Sequence, residues 1–226
     1  MNCVLHIANK NYSSWSLRPW LLMRALDIPF EECLHRLGME DFRRFSPSGR
    51  VPCLVDRDTV VWDSLAIVEY LAERHVGVWP ADAAARVWAR CACAEMHSGF
   101  TALRNHHGMN VGVLVAVLSR PVAVSTDIAR IEALWNEGLA RFGGPWLAGA
   151  AFGAVDAFFA PVAWRFRTYG VAPQGAAADY LACLLAHPSM REWEAAALAE
   201  DYREADHEAE LAQAGTVTAD FRIPAR

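Results

Sequence analysis

The first eighty residues alternate short strand-like runs with helical runs, and this alternation limits the possible folds more than any other feature of the chain. Residues 3–7 and 32–37 have the apolar character of strands, and residues 16–26 between them have a helical apolar period. A strand, a helix and a strand in this order form a β-α-β unit, so we predict two parallel strands joined by a helix.

A second helical stretch (residues 40–45) and two more strand candidates (residues 53–55 and 59–62) follow this unit. Only three residues connect the two strand candidates, which is typical of an antiparallel hairpin. The next two residues supply a helix N-cap, and the helical period then continues to residue 74. The order β-α-β-α-β-β-α predicts a small α/β domain.

The rest of the chain is alanine-rich: only four of its 40 alanines precede residue 80. Because alanine is the best helix former, we predict an all-α second domain. Residues 76–80 interrupt every period and mark the linker, giving domains at residues 1–78 and 84–226. The predicted helices span residues 81–105, 125–142, 155–169, 176–185 and 188–199. The acidic tail, residues 200–210, is predicted to be a solvated face or a frayed end.

Charge and cysteine content narrow the class of partner and the compartment. The formal net charge is -5 and Lys10 is the only lysine, so we expect no nucleic-acid binding. Six cysteines include no C-x-x-C pair, which favours buried reduced thiols over disulfides or a metal site. The apolar run at residues 145–164 contains prolines and Asp156, so we interpret it as a buried helix and expect no membrane span. No secretory signal is apparent at the N-terminus, and we expect a cytoplasmic protein.

Three polar clusters are candidates for a functional site. The first lies between the first strand and the first helix and contains Tyr12, Ser13 and Ser14; Pro19 requires the helix to begin shortly before it. Hydroxyl groups at a helix N-terminus can stabilise an anion. Helix capping by one of the serines is the alternative explanation.

The second and third clusters flank the predicted hairpin. Val51-Pro52 leads directly into a strand, where a cis bond would turn the Val51 backbone outward to pair with an extended peptide; a plain turn before the strand is the alternative. Asp63-Ser64 begins a helix, where it could hold both an ammonium and a carboxylate group of a ligand. A simple N-cap is the alternative for this pair.

In this order and on this frame, the three clusters resemble the glutathione S-transferase superfamily over essentially the whole chain. The serine-rich run is similar to the N-terminal motif of the serine-type zeta and theta-like classes, and Trp79-Pro80 is similar to the family's linker. The remaining motifs that carry the resemblance are Ser46-Pro47-x-Gly49-Arg50-Val51-Pro52-x-Leu54, Asp63-Ser64 and Gly149-x-x-x-Gly153-x-x-Asp156.

The resemblance implies a thioredoxin-like N-terminal domain that binds glutathione as co-substrate. It implies that Arg50, Val51 and Pro52 contact the peptide, with Val51 paired to the cysteinyl backbone. Asp63 and Ser64 would hold the γ-glutamyl end. A serine hydroxyl would stabilise the thiolate; the spacing of the theta- and zeta-like classes puts this role on Ser14, with Ser13 second and Tyr12 third.

The implied activity is a glutathione transferase, homodimeric and active in detoxification, that attacks an electrophilic or isomerisable small hydrophobic substrate. Trp15 stands where zeta-like members have a cysteine, so mixed-disulfide chemistry is not expected. Alternatives are a non-catalytic binding or regulatory protein of the stringent-starvation type and a glutathione-dependent peroxidase or isomerase. Candidates for the second-substrate pocket are Met96, Phe100, Arg104, Trp164, Arg167 and Tyr169, although aromatic and methionine residues at helical spacing are more often core. His106 and His107 are expected to be solvated rather than metal ligands.

Overall fold

The computed structural model describes residues 3–38 and 40–224, which begin with a four-stranded sheet of order β2-β1-β3-β4. β1 and β2 are parallel, whereas β3 is antiparallel to both β1 and β4. The parallel pair and the hairpin are therefore confirmed. The strands of this sheet are β1 (Cys3–Ala8), β2 (Glu31–His35), β3 (Cys53–Asp56) and β4 (Thr59–Trp62).

Two helices accompany this sheet, and helices dominate the chain after it. The stretch predicted as helical at residues 40–45 is only a 3-10 turn, Phe42–Arg44. The mixed-sheet domain followed by a helical domain confirms the predicted fold class. The helices are α1 (Ser14–Ala25), α2 (Ser64–Ala72), α3 (Ala83–Ser98), α4 (Thr101–His106), α5 (Val122–Phe142), α6 (Ala154–Thr168), α7 (Ala176–Ala186), α8 (Pro188–Leu198) and α9 (Ala205–Ala214).

One core joins the sheet to the helical part of the chain. The apolar face of α1 carries Leu17 and Leu21, which are fully buried in the same cluster as Phe158 and Val162 of α6. Burying large apolar side chains from both parts removes their surfaces from water together. The position of the first helix is therefore fixed from two sides, by the sheet and by α6.

The single helix predicted at residues 81–105 is wrong, because the chain breaks between α3 and α4. Phe100 has a left-handed backbone, with φ of 54°, and Gly99 before it is extended. A Cβ on Gly99 would lie 2.7 Å from the carbonyl oxygen of Glu95, so a side chain does not fit there. The break changes the direction of the chain at the start of α4. Arg104 therefore does not lie where it would if α3 continued without interruption.

The acidic tail is an ordered part of the fold, not a solvated or frayed end. It includes the first part of α9, which leads into β6 (Gly215–Asp220), and β6 pairs with β5 (Val113–Val117) in a second, two-stranded sheet. The second domain, predicted to be all-α, therefore contains two strands as well as its helices. Their pairing brings residues about a hundred positions apart in the sequence next to each other.

The long apolar run contains a buried helix with an N-terminal carboxylate, as predicted. The Asp156 carboxylate accepts hydrogen bonds from the backbone N–H groups of Gly153 and Leu147, both at 3.0 Å, and from the Tyr180 hydroxyl at 3.1 Å. Asp156 thus caps α6 and also ties two other segments to it. Among the described residues, every helix is too short or too polar to cross a bilayer.

We expect Asp156→Ala to lower the free energy of unfolding by about 3–5 kcal/mol, since it leaves three buried donors without an acceptor. Tyr180→Phe removes one of the three donors together with its bond and should cost only about 1 kcal/mol. Urea unfolding of both variants measures the difference. Equal losses would contradict the three-bond role of Asp156.

Candidate active site

The loop between β1 and α1, residues 9–13, is held by groups from the far end of the chain. The Glu200 carboxylate accepts hydrogen bonds from the backbone N–H groups of Lys10 and Asn11, at 2.6 and 3.3 Å. The indole N–H of Trp193 donates to the Lys10 carbonyl at 2.8 Å. Because the backbone of this β1–α1 loop is held on both sides, Ser13 and Ser14 have fixed positions.

Asn11 adds a second anchor to the β1–α1 loop. Its side-chain oxygen accepts from the backbone N–H of Gly112 at 2.9 Å, and its carbonyl accepts from that of Val111 at 3.1 Å. These bonds join the loop to the segment that leads into β5. The helical part of the chain therefore shapes the start of α1.

The three hydroxyl candidates have different environments. Ser14 is the first residue of α1, is partly exposed and lines a cavity, and its hydroxyl has no hydrogen-bond partner within residues 3–38 and 40–224. Ser13 is buried and donates to the Ser16 hydroxyl at 2.7 Å. Tyr12 donates to a Glu208 carboxylate oxygen at 2.7 Å. Of the three, Ser14 has the hydroxyl that is available to a ligand.

The environment of Tyr12 also opposes its ionisation. Burial raises the pKa of the Tyr12 phenol far above its ordinary value, and the neighbouring Glu208 carboxylate adds to this rise. Arg222 binds the same carboxylate through two hydrogen bonds, at 2.6 and 3.1 Å. Tyr12 therefore belongs to a network with the C-terminal region.

The strand-entry cluster offers a free stretch of backbone. The Val51-Pro52 bond is cis, as expected for this cluster. In the described part of the chain, the backbone N–H and C=O of Val51 form no hydrogen bond with another residue. Val51 and Arg50 line the same cavity as Ser14. An extended peptide can pair with Val51 as it would with the edge of a sheet.

The third cluster is a helix start with an unusual backbone. Asp63 has φ of 76°, a left-handed value that is uncommon for residues other than glycine, and its carboxylate accepts from the Leu65 N–H at 2.8 Å. His97 Nε2 lies 3.5 Å from the other carboxylate oxygen. The hydroxyl of the buried Ser64 accepts from Arg18 at 3.4 Å. The pair is more than a simple N-cap, because it also contacts α1 and α3.

An indole in the middle of the site contacts two guanidinium groups. The centre of the Arg18 guanidinium is 4.0 Å from the ring centroid of Trp15, and that of Arg104 is 4.7 Å away. Such contacts stabilise a cation against an aromatic face. Burial, together with the charges of Arg165 and Arg104, lowers the pKa of Arg18 to about 9. Trp15 thus connects α1 to α4 beside Ser14.

Two adjoining cavities, each about 370 Å³, surround this indole. The first cavity is bounded by the β1–α1 loop, α4 and α9, and it includes Ser14. The second cavity includes Pro52, Asp63 and Ser64. Both are lined by Trp15, Arg50, Val51 and Arg104. The structure therefore brings all three sequence clusters to one continuous cleft.

Most candidates for the second-substrate pocket lie elsewhere. Arg104 lines both cavities, but Met96 and Trp164 are fully buried in the core, and Phe100 is also buried there. Arg167 forms an ion pair with Glu194 at 2.6 Å. For the aromatic and methionine residues the core interpretation, which the sequence favoured, is therefore confirmed. Helical spacing alone does not reveal which face of a helix meets the cleft.

The expectation for the histidine pair is half wrong. His106 is exposed, but His107 is buried and stacks on Tyr169, with ring centroids 4.2 Å apart. Burial lowers the pKa of His107 to about 4, so the ring is neutral at pH 7. Tyr169, a pocket candidate, is instead the packing partner of His107.

The cleft contains functional side chains that sequence reasoning missed. Arg165 of α6 lines the first cavity although it is almost fully buried, and it donates to the carbonyls of His107 and Pro161. His207 and Glu210 reach the same cavity from α9. For Arg165, the signal in the sequence was a charged residue within an otherwise apolar helix.

Comparison with known proteins agrees with this arrangement. The family model for the glutathione S-transferase N-terminal domain matches residues 12–74, and that for the C-terminal domain matches residues 122–197. Glutathione S-transferase GstB of Escherichia coli (strain K12) is 28% identical over 184 residues, which cover 72% of this chain and 83% of GstB.

Two further similarities are to a curated relative and to a solved structure. The stringent starvation protein A homolog of Pasteurella multocida (strain Pm70) is 27% identical over 157 residues, covering 68% of this chain and 69% of that protein. The crystal structure of a glutathione transferase homolog from Burkholderia gl BGR1 with bound glutathione has a TM-score of 0.67 at 20% identity, covering 87% of this chain and 98% of that one. Since both family models match in the expected order, and each on the part of the fold that it describes, this chain belongs to the glutathione S-transferase family.

Proposed function

We propose that the protein is a glutathione transferase in which Ser14 activates the thiol of glutathione for attack on a small electrophilic or isomerisable substrate. The observation that carries this proposal is the Ser14 hydroxyl at the start of α1, which lines the cleft and has no hydrogen-bond partner among the described residues. Ser13 and Tyr12, the other two candidates, use their hydroxyls within the protein. Ser14 is thus the hydroxyl best placed to donate to the sulfur.

Glutathione lies along the cleft with its backbone paired to Val51. Asp63 offers a carboxylate to the γ-glutamyl ammonium, and Ser64 contributes the N-terminal end of α2, which favours the adjacent carboxylate. Arg50, which lines both cavities, supplies positive charge for the glycyl carboxylate. This orientation directs the cysteinyl sulfur towards Ser14.

The chemistry needs the thiolate form of glutathione. A free thiol has a pKa of about 8.5, and a hydrogen bond to the sulfur together with a nearby helix N-terminus lowers it. The sulfur then donates an electron pair to the electrophilic carbon of the substrate. A C–S bond forms, and the leaving group departs with its electrons or, in an isomerisation, the adduct later releases glutathione.

The second substrate carries an anionic group as well as an apolar part. Arg104 and Arg165 line the first cavity, and their hydrogen bonds go to backbone carbonyls. Within residues 3–38 and 40–224, neither has a carboxylate close enough for an ion pair, although Glu210 also lines this cavity. Two arginines without a carboxylate partner favour an electrophile with a carboxylate of its own.

The assembly and location of the enzyme are further parts of the proposal. The domains correspond to residues 1–78 and 84–226, as the interruption at residues 76–80 indicates. Val60 and Trp62 of β4 are exposed next to Leu65. Together these three residues form an apolar surface that is suited to a homodimer. The proposed location is the cytoplasm, and the proposed role is detoxification of reactive small molecules.

We expect Ser14→Ala to lower kcat/KM for glutathione conjugation by about a hundredfold, because the donor to the developing thiolate is lost. The apparent pKa of the bound thiol, followed by its ultraviolet thiolate absorbance, should rise towards the free value of about 8.5. Glutathione-agarose retention should persist, since Val51, Asp63 and Ser64 are unchanged.

Ser13→Ala and Tyr12→Phe identify the hydroxyl that faces the sulfur. Each should leave the apparent pKa of the bound thiol near the wild-type value while lowering stability by about 1 kcal/mol, because each breaks an internal hydrogen bond. If the pKa of the bound thiol rises in Ser13→Ala or in Tyr12→Phe but not in Ser14→Ala, the residue changed in that variant has the role. Failure of the wild-type protein to bind glutathione would overturn the proposal as a whole.

The charge of the second substrate is tested with a pair of electrophiles that differ only by a carboxylate. For the carboxylate-bearing one, Arg104→Gln should raise KM by roughly 10–100-fold, the range expected when a charged hydrogen bond is lost. The neutral electrophile should react at nearly the wild-type rate. Arg86→Gln, whose guanidinium donates to the carbonyls of Pro80 and Ala81, is the matched control. Equal effects on both electrophiles would argue against an anionic substrate.

The similarity to a stringent starvation protein A homolog favours one second candidate, a non-catalytic regulatory protein. This candidate and the transferase differ in what Ser14 does. If wild-type protein binds glutathione but conjugates no electrophile and reduces no peroxide, and Ser14→Ala leaves the cellular phenotype unchanged, the regulatory function is supported. Turnover that depends on Ser14 supports the enzyme.

A further inference from the structure

A cluster of potential metal ligands lies on the sheet outside the cleft. His6 of β1 pairs in register with Cys33 of β2, and His35 lies two residues further along β2. Side chains at alternate positions of a strand share a face, so all three project from the same side of the sheet. One ligand atom from each residue falls within 4.8 Å of the others.

The two imidazoles face each other through ring nitrogens. His6 Nδ1 and His35 Nε2 are 3.0 Å apart, whereas the ring centroids are 5.2 Å apart with an interplanar angle of 22°. The rings therefore meet nearly edge to edge rather than face to face. Two nitrogens that bind one tetrahedral zinc ion at 2.0–2.1 Å are about 3.3 Å apart, so a small opening of the pair admits an ion.

A carboxylate fixes the orientation of one imidazole. His35 Nδ1 lies 2.8 Å from a Glu40 carboxylate oxygen. Because a carboxylate only accepts, His35 carries its proton on Nδ1 and donates it, which leaves Nε2 with a lone pair directed at His6. A ligating histidine whose other nitrogen donates to a carboxylate is the usual outer arrangement of a protein metal site.

Aromatic packing holds the pair in place from one side. The Phe45 ring is nearly parallel to both imidazoles, with centroid distances of 4.1 Å to His6 and 4.5 Å to His35. His35 is buried, but His6 and Cys33 remain partly exposed. The ligands are thus preorganised under an aromatic cover while an ion still has access from solvent.

Negative charge around the thiol favours a cation. The carboxylates of Glu31 and Glu40 lie near enough to the Cys33 thiol to act on it electrostatically. A bound cation offsets both carboxylates and converts the sulfur to the thiolate that binds metals.

We propose that His6 Nδ1, Cys33 Sγ and His35 Nε2 form a zinc site, with water as the fourth ligand. Two nitrogens and one thiolate are ligands that Zn²⁺ prefers in tetrahedral coordination. Binding moves the His6 proton from Nδ1 to Nε2 and releases the thiol proton of Cys33 to solvent, one proton for each ion. The site lies outside the thiol-activating cleft, and its occupancy does not depend on the proposed transferase activity.

The site is connected to the cleft through one short segment. The 3-10 turn Phe42–Arg44 lies between Glu40 and Phe45, and Phe42 lines the first cavity. His35 also contacts the Phe42 ring, with centroids 5.7 Å apart. A bound ion therefore stabilises a segment that forms part of the cavity wall.

The experiment is a Co²⁺ titration of tag-free, chelator-treated, full-length protein, followed by competition with Zn²⁺. The expected result is one ion per chain, with a thiolate-to-cobalt charge-transfer absorbance that Zn²⁺ abolishes. Cys33→Ser should remove this absorbance and weaken Zn²⁺ binding at least tenfold. Glu40→Gln should weaken Zn²⁺ binding by about 10–100-fold, as the loss of a carboxylate behind a ligating histidine does.

Cys91→Ser is the matched control, because Cys91 is an exposed thiol on α3, and it should bind both ions as the wild type does. Circular dichroism and retention on glutathione-agarose show that each variant is folded. A second measurement uses the wild-type protein alone: Zn²⁺ should slow alkylation of Cys33, measured by mass spectrometry, but not that of the comparably exposed Cys183.

No binding at equimolar Zn²⁺, or binding that Cys33→Ser leaves unchanged, would overturn the zinc site and leave a hydrogen-bonded histidine pair. Unprotected alkylation of Cys33 in saturating Zn²⁺ would overturn it as well. Failure of glutathione binding alone would count against the proposed function and not against this site.

Discussion

The two hydrogen bonds from the β1–α1 loop to Glu200 hold the backbone that leads into Ser13 and Ser14. The acceptor is a carboxylate near the end of the chain, and the donors are the adjacent backbone N–H groups of Lys10 and Asn11. Backbone donors in a buried loop need partners, and a charged acceptor forms stronger bonds than a neutral one. This attachment fixes the backbone directly before α1, and with it the place where Ser14 meets the cleft.

The sequence was most informative where structure depends on neighbouring residues. Strand alternation, the spacing of the hairpin and the N-cap at Asp63 are local properties, and the structure confirms the elements that they predict. The three clusters were also found, because each lies at the end of a predicted strand or the start of a predicted helix. The tail was misread because the partners of its acidic residues, such as Tyr12 for Glu208, are nearly two hundred residues away.

The chemistry of the cavity was harder to predict for a related physical reason. Arg104 could be singled out from helical spacing, but Arg165 belongs to an apolar helix and lines the cleft beside the end of α4, where it donates to the His107 carbonyl. The break at Phe100 that redirects α4 depends on a left-handed backbone at a residue type that gives no warning of it. The metal ligands come from two strands, so no spacing within one segment could reveal them.

The dependence of the β1–α1 loop on Glu200 also affects the order in which parts of the protein reach their final positions during synthesis. Translation produces the sheet first, and the local contacts of β1, β2 and the hairpin can form while the ribosome is still making the helices. The loop that precedes Ser14 acquires its anchors only when residues 193–208 have emerged from the ribosome. Ser14, which we propose as the catalytic hydroxyl, is therefore synthesised early, but its position depends on contacts with residues that are synthesised much later.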